Sequence, residues 1–394
     1  MRPITCIEDL RRIYLKRVPR MFIDYCESGS WTESTLRRNL DDLARIELQQ
    51  HVMAGVDQSS QNSTMLGQET SLPLALAPVG LTGMQHADGE MLAARAATRF
   101  GVPFALSTMS VCSLEDVAGF IKQPFWFQLY VLRDHDFIRD LIDRAKAAGC
   151  SALILTLDLQ VMGQRHRDIK NGLSVPPKPT LRNLINLSMH PRWCLQMART
   201  PRRGFGNIMG HVKGVDDLSA VAQWTAKQFD RALTWDDVEW IKKRWGGKLV
   251  MKGLLSADDA RRAVDCGADA VVVSNHGGRQ LDGAPSSISV LPEVVDAVGT
   301  RCEVWLDSGV RSGQDVFRAI ALGAHGVLIG RAFVYGLGAF GEQGVTTALQ
   351  LIKRELELTM TLCGVRSIAE IGPQSLHVPV QNALGGSGAG SQPS

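Results

Sequence analysis

From residue 72 onward the chain alternates short, almost wholly apolar runs with longer segments whose apolar positions recur at helical spacing. Eight runs have strand character: Leu72 to Pro78, Pro103 to Thr108, Phe125 to Val131, Ala152 to Asp158, Lys248 to Gly253, Ala270 to His276, Glu303 to Gly309 and Gly326 to Arg331. Runs that are apolar without alternation need both faces covered, which predicts parallel strands joined by crossover helices. Several intervening segments open with cap sequences, namely Ser113-x-x-Asp116, Thr234-x-x-Asp237 and Ser256-x-x-Asp259. Eight such units fit a closed α/β (β/α)8 TIM barrel better than an open doubly wound sheet, the alternative that pattern alone leaves.

Two features depart from the alternation. An N-terminal helical extension precedes it: Thr5-Cys6-Ile7-Glu8 has the form of a capping box starting a helix through about Val18, which Pro19 closes, and a second helical stretch covers Glu33 to Leu48. A long insertion follows the fourth strand. From Ile169 to Val215 it contains no Asp or Glu but carries Lys170, Lys178, Arg182, Arg192, Arg199, Arg202, Arg203 and Lys213, interleaved with Leu184, Ile185, Leu187, Met189, Trp193, Leu195 and Met197. Basic residues mixed with bulky apolar ones and Trp are the composition of a segment lying on an anionic membrane surface; a solvated lid or a subunit contact is the plainer alternative. The expected organisation is one domain over residues 1–382, with the barrel at about 72–365, the insertion at about 169–215, and a flexible Gly/Ser tail at 383–394. Excision of about 177–213 is expected to leave a soluble protein with its chemistry retained.

Bulk properties narrow the function classes. A length of 394 residues is within the range of single α/β barrels, and a net charge of +3 is too small to imply a nucleic-acid partner. The first ten residues lack the apolar core of a signal peptide, and no apolar run approaches the roughly 20 residues that span a bilayer. Eight scattered cysteines show no Cys-x-x-Cys and no paired His spacing, so no metal site is expected and reduced thiols in a cytoplasmic protein are the default.

In such a barrel, function collects at the C-terminal ends of the strands. Those ends give Pro78-Val79-Gly80, Ser107, Gln128 with Tyr130, Thr156 with Asp158, Lys252, Ser274-Asn275-His276-Gly277-Gly278-Arg279, Asp307-Ser308-Gly309 with Arg311, and Gly330-Arg331. A rim this polar is more than a structural barrel needs. His276 offers a base near neutrality, Asp158 a partner for its protonated form, and Arg279 a carboxylate clamp. Gly309, Arg311, Gly330 and Arg331 follow the last two strands, where such barrels bind phosphate. Lys252 would stabilise a developing anion, and Gln128 and Thr156 are groups that read the edge of a heterocycle. Together they suggest flavin mononucleotide with a hydroxy-acid substrate.

The segment Ser274-Asn275-His276-Gly277-Gly278-Arg279-Gln280-Leu281-Asp282, with Phe127-Gln128-Leu129-Tyr130, Ile329-Gly330-Arg331 and Asp24-Tyr25, resembles the FMN-dependent α-hydroxy-acid dehydrogenase/oxidase family over about residues 5–375. Leu76-Ala77-Pro78-Val79-Gly80-Leu81, Leu106-Ser107-Thr108 and Ser110-Val111-Cys112 are similar to the respiratory L-lactate dehydrogenase branch. Lys252-Gly253-Leu254-Leu255-Ser256-Ala257 and His190-Pro191-Arg192-Trp193 are closer to the mandelate branch. The resemblance implies His276 as base with Asp158 as partner, Arg279, Arg165 and Tyr25 on the substrate carboxylate, and Tyr130 on its hydroxyl. It implies Lys252 near flavin N1 and O2, and Gln128, Ser107, Thr156 and the Val79-Gly80 backbone at the ring. Ser274 joins the cofactor set, while Asp307, Gly309, Arg311, Gly330 and Arg331 hold ribityl and phosphate. Implied too are a homo-tetramer or octamer and a quinone acceptor at the cytoplasmic face of the inner membrane, a soluble cytoplasmic enzyme being the alternative.

Two positions shade that expectation. Gly80 replaces the alanine of many oxidases in the family, which leans toward quinone, and Met109, a flexible thioether, leaves substrate size open. The expected reaction is L-lactate to pyruvate, with an (S)-mandelate or other aryl or long-chain acid as the alternative and an oxygen-using oxidase behind both. Rival readings are weaker. Gly336-Leu337-Gly338-Ala339-Phe340-Gly341 has the G-x-G-x-x-G form but follows the last strand, so helix packing accounts for it better than nicotinamide binding. A Schiff-base aldolase using Lys252 leaves the phosphate turns unexplained, and a non-catalytic membrane scaffold leaves the whole rim unexplained.

Overall fold

The computed structural model describes residues 3–172, 180–212, 215, 220, 224, 228–229 and 231–377. Lys178, Lys213 and the Gly/Ser tail lie outside them. All eight apolar runs form strands: β3 (Leu74–Leu76), β4 (Ala105–Ser107), β5 (Trp126–Tyr130), β6 (Ala152–Thr156), β7 (Lys248–Leu254), β8 (Ala270–Val273), β9 (Glu303–Leu306) and β10 (Gly326–Ile329), preceded by a hairpin of β1 (Ser63–Met65) and β2 (Gln68–Thr70). The parallel order β3-β10-β9-β8-β7-β6-β5-β4 is closed by a parallel bridge between Leu76 and Phe104, with the Leu76 N–H donating to the Pro103 carbonyl at 2.9 Å. The result is a (β/α)8 barrel. Its strands are shorter than the apolar runs because the last residues of each run leave the ladder and turn into the rim.

The barrel interior is filled unevenly. Trp126 and Trp305 stack with ring centroids 5.1 Å apart, surrounded by Ala75, Ala105, Ala152 and Ala270, and Met65 from the hairpin packs into the same cluster from below. The outer core lies between strands and helices, where the apolar stripe of each amphipathic helix meets the sheet. Ser113 and Thr234 form capping boxes with Asp116 and Asp237, and the Ser256 hydroxyl accepts from the Asp259 N–H, all as their spacing predicts. The formal G-x-G-x-x-G is a packing device: it lies on the helix Arg331–Phe340, and a Cβ on Gly336 would overlap the Gly344 carbonyl of the next helix.

The N-terminus corrects two expectations. Thr5 donates from both its N–H and its hydroxyl to Asp9 rather than boxing with Glu8, and the first helix is Ile7–Arg17. Pro19 caps a further helix, Arg20–Glu27, so the proline that ends the first helix also opens the next. The insertion folds into helices Leu181–Ser188 and Pro191–Arg199 that leave Leu181, Leu184, Ile185, Met189 and Leu195 exposed, the first by 74 %. Its later part is not detachable: buried Asn207 donates to Ser110 Oγ at 2.9 Å and accepts from the Leu114 N–H at 2.9 Å, so excision through residue 213 would uncover the loop after β4. Among the described residues no helix is long and apolar enough to cross a membrane.

Candidate active site

The strand ends and the helix Arg20–Glu27 enclose a cavity of about 420 Å³. Its wall brings together Tyr25, Val79, Gly80, Gln128, Tyr130, Thr156, Arg165, Lys252, His276, Arg279, Asp307, Gly309, Arg311, Gly330 and Arg331. Asp158, Ser107 and Ser274 stand one layer behind and act through these. Nδ1 of His276 lies 2.9 Å from Asp158 Oδ1. Burial pushes the Asp158 carboxyl up, but His276 and then Lys252 outweigh it and hold the group below the usual carboxylate range. His276 itself sits at φ +59°, in left-handed backbone that costs a β-carbon side chain about 1 kcal/mol or more and is tolerated where the surroundings enforce it.

The second layer is specific. Ser274 Oγ accepts from Lys252 Nζ at 2.6 Å and from the His276 N–H at 3.1 Å, so it fixes the base and the lysine together. Lys252, almost fully buried, also pairs with Asp307 at 2.6 Å. Ser107 Oγ donates to Gln128 Oε1 at 3.0 Å and so fixes the amide's orientation. That leaves Gln128 Nε2 buried at the cavity wall without a hydrogen-bond partner. A buried unpaired amide costs about 1–3 kcal/mol, a cost that an acceptor on a bound ligand relieves.

Cations dominate the upper wall. The guanidinium groups of Arg279 and Arg165 lie over the Tyr25 ring, 4.8 and 5.9 Å from its centroid. Arg279 also donates to the Ser28 carbonyl at 3.1 Å, which ties the loop after β8 to the end of the helix Arg20–Glu27. Burial and the charge of Arg165 push Arg279 below its ordinary value, and burial with Arg279 and Arg311 brings Arg331 down to about 10. Such mutual depression marks a site with a deficit of negative charge. Arg331 spends Nε, Nη1 and Nη2 on the carbonyls of Cys26, Gly277 and Ser28 at 2.7 to 3.0 Å. The side chain therefore braces the wall, and what position 331 offers an anion most directly is the backbone of the helix that begins there after Gly330. Arg311 keeps its guanidinium free of carboxylate partners among the described residues and stacks 5.3 Å from the Tyr335 ring.

Three further residues position the site; Asp168 and Asn39 carry no sequence signal, while Gln280 lies inside the motif Ser274 to Asp282. Asp168, buried, accepts from Arg165 Nε at 2.6 Å and sets the guanidinium's direction. Asn39 exchanges two hydrogen bonds with Asn275, at 2.7 and 2.8 Å, and so holds the loop bearing His276 and Arg279. Gln280 donates to the carbonyls of Asp158 and Val161 at 2.7 and 2.8 Å. Much of the remaining wall of the cavity is apolar, with Met21, Phe22, Met84, Met109, Phe205 and Phe229 among its lining.

The orphan amide, the paired base and the anion-deficient wall describe a site for a heterocycle with an anionic tail beside a small carboxylate. Comparison with known proteins agrees. The chain matches the model of the FMN-dependent dehydrogenase family over residues 15–378. It is 47 % identical over 385 residues to an L-lactate dehydrogenase of Caulobacter vibrioides (strain NA1000 / CB15N), covering 96 % of this chain and 99 % of the relative. It is 46 % identical over 374 residues to an L-lactate dehydrogenase of Xanthomonas campestris pv. campestris (strain B100), covering 95 % and 97 %. A crystal structure of the monotopic membrane protein (S)-mandelate dehydrogenase superposes with a TM-score of 0.91 at 37 % identity, covering 95 % of this chain and all of that one. The match runs through the N-terminal helices, the insertion and every strand of the barrel, so the whole wall of the cavity lies within it: this chain belongs to the FMN-dependent dehydrogenase family and is an FMN-dependent enzyme.

Proposed function

We propose that the chain oxidises an L-2-hydroxy acid to the 2-oxo acid, with L-lactate to pyruvate as its reaction. The observation that carries the reading is the His276–Asp158 pair at 2.9 Å facing Arg165 and Arg279 across one cavity. Bound FMN supplies the two-electron acceptor for the substrate. Gln128 Nε2, Thr156 and the Val79–Gly80 backbone fit its ring, and Lys252 fits the side where negative charge develops on reduction. Asp307, Gly309, Arg311 and the backbone at Gly330–Arg331 fit its polyol and phosphate.

The protein's own part is binding, orientation and proton movement. Arg165, aimed by Asp168, and Arg279 hold the substrate carboxylate, with the Tyr25 ring beside both. That fixes Cα and its hydroxyl within the cavity, next to Tyr130 and His276. With Nδ1 committed to Asp158, Nε2 of His276 is the nitrogen left to take up the proton released when C–OH becomes C=O. Asp158 then stabilises the imidazolium without itself being protonated. Anaerobic titration of the purified protein with L-lactate tests the reading: bleaching of the visible flavin bands supports it, and bands unchanged by lactate overturn it.

A second reading, an aryl hydroxy acid such as mandelate, is favoured by the apolar wall at Met109, Phe205 and Phe229, and mandelate in the same titration decides it. We also propose quinone as the acceptor and peripheral attachment of the insertion to the cytoplasmic face of the inner membrane, as a homo-tetramer or octamer. Leu184 and Ile185, each 56 % exposed on a basic insertion, support the attachment. Flotation with vesicles and light scattering test these points.

A further inference from the structure

Behind the helix that carries Tyr25 lies a second cavity, of about 190 Å³, lined by Arg20, Asp24, Arg167, Lys170, Asn171 and Arg182. It is separate from the active site, and nothing in the reaction uses it. Four cations face a single carboxylate there. Asp24 is already occupied, lying 3.4 Å from Arg20 Nε and accepting from Asn171 Nδ2 at 2.8 Å. Arg167 reaches away to Glu33 at 2.8 Å. Lys170 and Arg182 have no carboxylate partner among the described residues. Like charges gathered round one concavity repel, and an anion relieves them. The cavity is several times the share of liquid volume, about 30 Å³, that one water takes, so a phosphate ester is within its range.

The surroundings say which ester. Arg182 stands on the helix Leu181–Ser188, whose Leu181, Leu184 and Ile185 are exposed, and Ile169, 50 % exposed, lies between Arg167 and Lys170 in sequence. An anion pocket bordered by unburied aliphatic side chains matches an amphiphile: a charged head in the pocket and acyl chains on the aliphatic residues. The pocket is built, not incidental. The Arg20 N–H donates to Asn186 Oδ1 at 2.7 Å, and Asn183 Nδ2 donates to the Asn171 carbonyl at 2.7 Å. Three separate helices are thereby fastened around the hollow.

We propose that this cavity binds the phosphate headgroup of an anionic phospholipid, one lipid per chain. The inference rests on membrane attachment of the insertion but goes further, replacing a diffuse basic surface with one stoichiometric site. Its test uses the FMN-loaded full-length protein and a monomeric short-chain lipid, dihexanoyl-phosphatidylglycerol, kept below its micelle concentration and titrated calorimetrically. The result expected is saturable binding at one lipid per chain. K170Q/R182Q should weaken it about 30-fold, on the scale of about fivefold per cation lost. R192Q/R199Q, which removes the same charge from equally exposed positions that do not line the cavity, should leave it unchanged. No saturable binding, equal losses in the two double variants, or equally tight binding of inorganic phosphate each overturns the proposal. Vesicle flotation of the unaltered protein is read separately: failure to float with short-chain lipid still bound defeats membrane attachment but not the headgroup site.

Discussion

Replacing Asp158 by Asn removes one charge and little volume. The Nδ1 contact at 2.9 Å survives as a neutral hydrogen bond, so the imidazole keeps its direction and loses only its counter-charge. Two unit charges about 4 Å apart at an effective dielectric near 20 interact by about 4 kcal/mol. The side chains of His276 and Asp158 are 21 % and 13 % exposed, so water screens part of that, and about 2–4 kcal/mol of support for the imidazolium is lost. At 1.36 kcal/mol per factor of ten, substrate-driven flavin reduction should slow by about 30- to 1,000-fold. Anaerobic stopped-flow at the flavin band measures it, and equal flavin content in both proteins serves as the control. A rate within about threefold of the parent would refute the claim that Asp158 acts on His276 by charge. The pH dependence of stability gives a second reading. The carboxyl's value is depressed on folding, so its stabilisation is fully present above its unfolded value near 3.8 and is lost as pH falls through the lower folded value. The Asn variant should therefore lose less stability than the parent when urea melts at pH 7 are compared with melts below pH 4.

Other substitutions probe different parts of the wall. His276→Gln should keep bound flavin yet abolish its reduction by L-lactate; substantial bleaching would remove His276 as the base. Gly309 sits at φ +106°, and a Cβ there would overlap the Asn39 carbonyl, so Gly309→Ala should cost about 2–4 kcal/mol and release flavin, read as a lower Tm and a colourless preparation. An unchanged Tm would show that the turn after β9 can relax. Met109→Ala should enlarge the cavity and move kcat/KM for mandelate over lactate upward by about tenfold, the scale set by a few methylenes in an apolar pocket. A ratio that does not move would place size selection elsewhere, at Phe205 or Phe229.

Much of this architecture is visible in the sequence because burial on both faces leaves a continuous apolar run that helices cannot imitate at that length. All eight barrel strands are legible for that reason, while the hairpin Ser63–Thr70 is not: its strands have three residues each and mostly polar side chains. The helix Arg20–Glu27 is hidden because a proline stops one helix and starts the next with the same chemistry. At the rim, residue type reveals that a position is polar but not which way its side chain turns. Ser107, Ser274 and Arg331 share the strand ends with Gln128 and Lys252. Yet Ser107 and Ser274 orient neighbours, and Arg331 braces carbonyls. Asp168 and Asn39 have no periodicity and no motif, and their work becomes visible only when the chain folds; Gln280 belongs to the motif, but its hold on the loop after β6 does not show there.

The two stacked indoles at the centre of the barrel bear on how freely this chain can vary. Most barrel interiors share their packing among many branched side chains, so one change is diluted among neighbours. Here Ile154, Val250, Val272 and Leu328 share the interior with Trp126 and Trp305, and the two indoles fill space that Ala75, Ala105, Ala152 and Ala270 leave open. Shrinking either indole leaves a void no alanine can fill, and enlarging any of those alanines runs into an indole. Changes to the indoles at the floor of this enzyme are thus tied to exchanges on neighbouring strands, while the methionines and phenylalanines that border the cavity have its volume to vary into, so substrate size can change without disturbing the floor.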